Sequence, residues 1–96
     1  MVVGVARVTL YLMAADSLKE KRRVIKSLLQ RIHNRFNVGA AEISDLDDRR
    51  IATLGITCVS NSGPHCDEVL ANVVSFIERN VELGQMGEVE TELIRC

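Results

Sequence analysis

The apolar residues of this chain keep switching between a spacing of two and a spacing of 3.6 residues. The order of those switches leaves few folds open. From Val2 to Leu12 the pattern alternates. Val2, Gly4, Ala6, Val8, Leu10 and Leu12 fall on one face, and Val3, Val5, Arg7, Thr9 and Tyr11 on the other. That period, rich in β-branched residues, predicts a half-buried strand. Ser17-Leu18-Lys19-Glu20 then has the form of a capping box, with Ser17 accepting from a first-turn N–H and Glu20 reaching back to the Ser17 N–H. A helix is predicted from there to about Arg35. Leu18, Val24, Ile25, Leu28, Leu29, Ile32 and Phe36 form its core stripe.

Phe36 to Leu46, with Val38, Ala41 and Ile43, reads as a second strand. Asp45, Asp47, Asp48, Arg49 and Arg50 make a polar turn, and Ile51 to Ser60 a third strand, so the two strands form a hairpin. Asn61-Ser62-Gly63-Pro64 stops that strand and opens a second helix, with Pro64 at its first position. Val69, Leu70, Val73, Val74, Ile77 and Val81 carry this helix to about Glu82, and Gly84 is the expected C-cap. Met86 to Cys96 alternates again, with Glu88, Glu90 and Glu92 opposite Val89, Thr91 and Leu93.

The predicted order is βαββαβ. In 96 residues with no long loop, this is the ferredoxin-like split βαβ sandwich, an α+β fold in one domain spanning residues 1–96. Two helices should cover one face of a four-stranded antiparallel sheet of order 4-1-3-2. Arg7 should then meet a glutamate of the last strand.

Composition narrows the function classes. The chain is 47% apolar, too much for a disordered segment. Its three cysteines, Cys58, Cys66 and Cys96, cannot pair completely and share no C-x-x-C spacing, which favours a reducing, cytoplasmic setting. Arg7 interrupts the apolar start and argues against a signal peptide. No apolar run is long enough for a membrane span, so no membrane partner is expected. His33, His65, Cys58 and Cys66 lack metal-ligand spacing, and no glycine-rich phosphate loop is present. A Cys66–His33 nucleophile pair would require the two to meet in space. No catalytic residue, metal or cofactor is expected.

The net charge of −1 conceals an asymmetry. Seven of the twelve basic residues lie between positions 16 and 35, where only Asp16 and Glu20 oppose them; this segment carries +5 and the rest −6. Lys19, Arg22, Arg23 and Lys26 share one side of the first helix, extended by Gln30 and His33. Cations at a helix start oppose the helix dipole, so this placement works against stability. It forms an anion-binding surface, for which RNA phosphate is the obvious polyanion. Arg35, Arg49 and Arg50 are expected to add to it. Nothing signals DNA specifically.

The uncovered sheet face offers a second possibility. Tyr11 alone is not a base-stacking platform. Val3, Val5, Tyr11, Ile51 and Val59 there predict instead a homodimer or other protein-interaction face. On that alternative the basic helix is only a solvated surface.

Ser17-Leu18-Lys19-Glu20-Lys21-Arg22-Arg23-Val24-Ile25-Lys26-Ser27-Leu28, then Asn34-Arg35-Phe36-Asn37-Val38 and Ala41-Glu42, resembles the YlxP-like family of bacterial domains of unknown function. Leu54-Gly55, Val59-Ser60-Asn61 and His65 with Val73, Val74, Phe76 and Ile77 fit the same pattern, so the resemblance runs from about Val2 to Glu82. It implies a small ferredoxin-like protein with no established enzyme activity. Genes of that family often neighbour those for translation initiation factor two and ribosome-binding factor A. The resemblance therefore implies a ribosome- or RNA-linked role. The family often has a W-Q-R-A step entering the third strand. Here the residues are Arg49-Arg50-Ile51-Ala52, which exchange an aromatic for basic surface.

Overall fold

A computed structural model of the chain describes all 96 residues. The elements are β1 (Val2–Tyr11), α1 (Leu18–Arg35), β2 (Gly39–Ser44), β3 (Ile51–Ser60), α2 (Gly63–Asn80) and β4 (Gln85–Arg95). The sheet order is β2-β3-β1-β4 and every pairing is antiparallel. This is the predicted ferredoxin-like sandwich. Val8, Leu10, Leu54 and Ile56 on the sheet meet Ile25, Leu28 and Ile32 of α1 and Leu70, Val73 and Ile77 of α2 in one core.

The helix ends show how local chemistry sets the boundaries. The Ser17 hydroxyl accepts from the Glu20 N–H at 3.0 Å, as a cap should. The Glu20 carboxylate accepts from the Asp16 N–H at 2.8 Å, one residue upstream of the expected Ser17 N–H. At α2 the Ser62 hydroxyl caps the His65 N–H, and Pro64 follows Gly63 as the second helical residue. This helix ends at Asn80, earlier than expected, with Val81 as its C-cap.

Gly84 is therefore not the C-cap, and the left-handed position is Leu83, at φ 63°. Gly84 serves a close approach instead. A Cβ there would lie 2.0 Å from the Tyr11 carbonyl oxygen, so only glycine lets the loop pass the end of β1.

β2 is shorter than its sequence pattern and contains an irregularity between Glu42 and Ser44. β4 pairs Val89 with Val8 but Met86 with Leu10. Two residues of β4 thus oppose Thr9, which is a β-bulge. The bulge keeps Met86, Val89 and Leu93 opposite the core-facing residues of β1 and leaves Glu90 and Glu92 on the uncovered side. Arg7 does face Glu90 in register, but no ion pair joins them.

Candidate functional site

The cations of α1 divide into distinct environments. Lys21 is completely buried. Its ammonium donates to the carbonyls of Asp45, Asp48 and Ile51 at 2.6, 2.5 and 2.6 Å. The Glu42 Oε2 lies 2.9 Å away. An ammonium has three N–H donors, and the carbonyls take all three. Glu42 Oε2 therefore supplies charge without a directed hydrogen bond, and it has no other donor. The Asp45–Ile51 turn is closed within itself as well, by Asp48 N–H to Asp45 C=O and Arg50 N–H to the Asp48 carboxylate. Lys21 is thus the peg on which the β2–β3 hairpin is hung.

In the sequence Lys21 belongs to the basic cluster, and nothing there marks Glu42 as its partner. A signal was present. Lys21 falls inside the apolar arc, three and four residues before the core residues Val24 and Ile25. A lysine at such a position needs a buried acceptor set.

Arg22 reaches Asp47 at 3.4 Å from a side chain that is 59% exposed. Lys19, Arg23 and Lys26 are exposed and make no ion pair or side-chain hydrogen bond. These three span about 10 Å along the helix. Arg35 stands apart, roughly 24 Å along the axis from Lys19. Its guanidinium lies over the rings of Phe36 and Phe76, at 5.9 and 5.2 Å. Arg31 also lies over Phe76 and bonds the Asn80 side chain. Arg49 and Arg50 are exposed on the hairpin beside the helix start, where Asp45, Asp47 and Asp48 surround them with negative charge. Of the seven predicted contacts, the structure gathers Lys19, Arg22, Arg23 and Lys26 on one face. It sets Arg35 at the far end and Arg49 and Arg50 among acids.

No helix covers the second surface, the open side of the sheet. The registers arrange it in transverse rows. Val59, Val3 and Ile94 make an apolar row across β3, β1 and β4. Next come Gly39, Thr57, Val5 and Glu92, then Ala41, Gly55, Arg7 and Glu90. The small residues of β2 and β3 form the floor of a groove of about 600 Å³. All five predicted interface residues lie on this side, with Val59 the most open at 65% exposure. Tyr11 is already engaged. A Cβ at Gly87 would lie 2.2 Å from its ring, so the ring rests on bare backbone in the bulge. Its hydroxyl donates to Glu88 at 2.7 Å. That hydrogen bond raises the Tyr11 pKa above the ordinary tyrosine value and lowers that of Glu88.

Cys66 is buried in the first turn of α2, where its thiol points to the Val2 carbonyl. Cys58 lies beside it. Burial, followed by the neighbouring Cys66, pushes the Cys58 thiol up to about 11. The Cys58 thiol therefore stays protonated and is a poor nucleophile. His33 lies on the exposed stripe of α1 next to Lys26 and Gln30, and the chain does not bring it to Cys66.

Three comparisons place the chain among known proteins. The DUF503 family, described as a protein of unknown function, matches residues 3–89. The uncharacterized protein YlxP of Bacillus subtilis (strain 168) is 37% identical over 81 residues, covering 84% of this chain and 88% of that protein. A de novo designed protein with a ferredoxin fold, LFR1 1, solved by solution NMR, superposes with a TM-score of 0.55 at 15% identity. The superposition covers 96% of this chain and 87% of the design, and shows the fold alone. On the match to its profile and to YlxP, the chain belongs to the DUF503 family.

Proposed function

We propose that the protein is a non-catalytic, cytoplasmic RNA-associated binding protein whose contact surface is the exposed stripe of α1, with structured RNA of a ribosomal subunit as its partner. One observation carries this reading. Lys19, Arg23 and Lys26 cluster on one exposed side of α1 and form no ion pair, while Lys21 pairs with Glu42 and Arg22 with Asp47. Other basic residues also lack ion pairs, but only here do several stand together on one helix face. Lys19 stands in the first turn of α1, where it opposes the dipole, and Arg23 and Lys26 follow on the same side and repel it and each other. A phosphate backbone laid along the stripe relieves both that cost and their mutual repulsion.

The contact is short and electrostatic. Three or four cations over about 10 Å match two or three successive phosphates and provide no base readout. Filter binding of a structured RNA hairpin near ~0.1 M salt tests the reading. Reversing Lys19, Arg23 and Lys26 to Glu should weaken binding at least ~10-fold. Unchanged binding by this triple variant would refute it.

A further inference from the structure

We infer that the open face of the sheet is a self-association surface whose occupant is a second copy of this chain, docked about a twofold axis running along the strands. Residue sizes and charges are ordered across the face. β2 and β3 present Gly39, Ala41 and Gly55, while β1 and β4 present Arg7, Glu90 and Glu92 in the same rows. Over Gly39, Ala41 and Gly55 the face is low, with the Ile43 side chain leaning across Gly55, whereas β1 and β4 carry long side chains in the same rows.

A twofold axis parallel to the strands lays β1 and β4 of one copy over β3 and β2 of the other. Arg7 then packs on the partner copy's Ile43, which lies across its glycine at position 55, and Glu92 reaches the low row at its position 39. Each copy fills the other's groove, as an isologous contact requires. The same operation stacks the Val59–Val3–Ile94 row on its own image. That covers Val59 and Ile94, which are 65% and 43% exposed in the single chain. A twofold axis across the strands would instead superpose β4 on β4 and bring Glu90 and Glu92 against their own copies. Like-charge repulsion disfavours that arrangement.

Size also favours a second copy over a small ligand. A ligand filling the central groove would leave the apolar row exposed, since that row is outside the groove lining. Three strands of ten or eleven residues and one of six, about 4.8 Å apart, give a face of about 600 Å². Two such faces total roughly 1,200 Å², the lower end of a stable interface. Arg7 offsets Glu90, which is beside it in register, and Glu92 lies on the edge strand β4, at the solvated rim of the contact.

Sedimentation equilibrium of the full chain tests this, in reducing buffer so that the exposed Cys96 cannot cross-link copies. The expected result is a monomer–dimer equilibrium of the 10.7 kDa chain, resolved between about 1 and about 200 μM. Val59→Glu and Ile94→Glu should each weaken it at least ~30-fold, because twofold symmetry introduces the carboxylate into the interface twice. Both positions are solvent-exposed in the single chain, so far-UV circular dichroism should not change. Lys26→Glu, on the helical side, should leave association unchanged. A strict monomer throughout the range overturns the inference, and so does a dimer that both sheet variants leave intact.

Discussion

Lys21 ties two elements together with a single ammonium. It emerges from α1 into a ring of three carbonyls supplied by the β2–β3 turn, with Glu42 beside it. Removing it leaves three acceptors and a largely buried carboxylate without their cation. Lys21→Met should therefore destabilise the fold by about 3–5 kcal/mol, read as a lower urea midpoint at unchanged slope. Lys21→Arg should not restore it, because a planar fork cannot point at three carbonyls around one centre. A loss under about 1 kcal/mol would show that the turn holds its own shape without the ammonium.

The Tyr11–Glu88 contact is a second residue-scale test, at the surface. Glu88 has a lowered pKa in the fold, so its contribution to stability is present above the ordinary glutamate value. That contribution is lost as pH falls through the lowered one. Tyr11 behaves in the opposite sense. Its raised pKa means the contribution is present below the ordinary tyrosine value and disappears as pH rises through the raised one. An NMR titration should find the Glu88 midpoint below the usual glutamate range. In Tyr11→Phe it should return to that range, since the lost hydroxyl is the main cause of the shift.

At the scale of elements, α1 is capped for stability and charged against it. Ser17 caps the helix and Glu20 bonds back to Asp16, while Lys19 between them has the wrong sign for a helix start. Ser17→Ala should cost about 1 kcal/mol. Lys19→Glu should raise stability by roughly 0.3–1 kcal/mol in a thermal melt at low salt, while weakening RNA binding. Opposite signs for stability and binding at one position are what a functional cation predicts. A neutral or destabilising Lys19→Glu would mean that α1 was never strained by its charge.

The elements differ in how far the sequence reveals them. β1 and β3 alternate without interruption and are read correctly, because each buries one complete face. The β4 bulge is invisible in sequence, since Glu88 to Leu93 alternates equally well on either register. Only the packing of the Tyr11 ring on Gly87 fixes it. Gly84 resembles a helix cap, but its role is set by the approach of Tyr11 at the end of β1, 73 positions earlier in the chain and outside any local window. The α1 stripe is legible as charge. Its partition into buried, paired and free cations depends on a hairpin that packs against it from later in the chain.

For the whole molecule, the net charge of −1 is the sum of two opposed surfaces. The helical side offers the free cations Lys19, Arg23 and Lys26. The opposite side of the sheet carries Glu88, Glu90 and Glu92 along its β4 edge. A polyanion can therefore approach from one side only, and a second copy can dock on the other without blocking it. In the dimer the two cationic stripes would face outward on opposite sides, so a monomer-sized contact with RNA is retained. Co-sedimentation with ribosomal subunits across a salt series measures the proposed RNA contact of α1 itself. With two or three phosphates engaged, a plot of log affinity against log salt should fall with a slope of about −1.5 to −2.5, and the Lys19, Arg23 and Lys26 to Glu variant should lose the association. A slope near zero, or equal binding by the variant, would contradict the account.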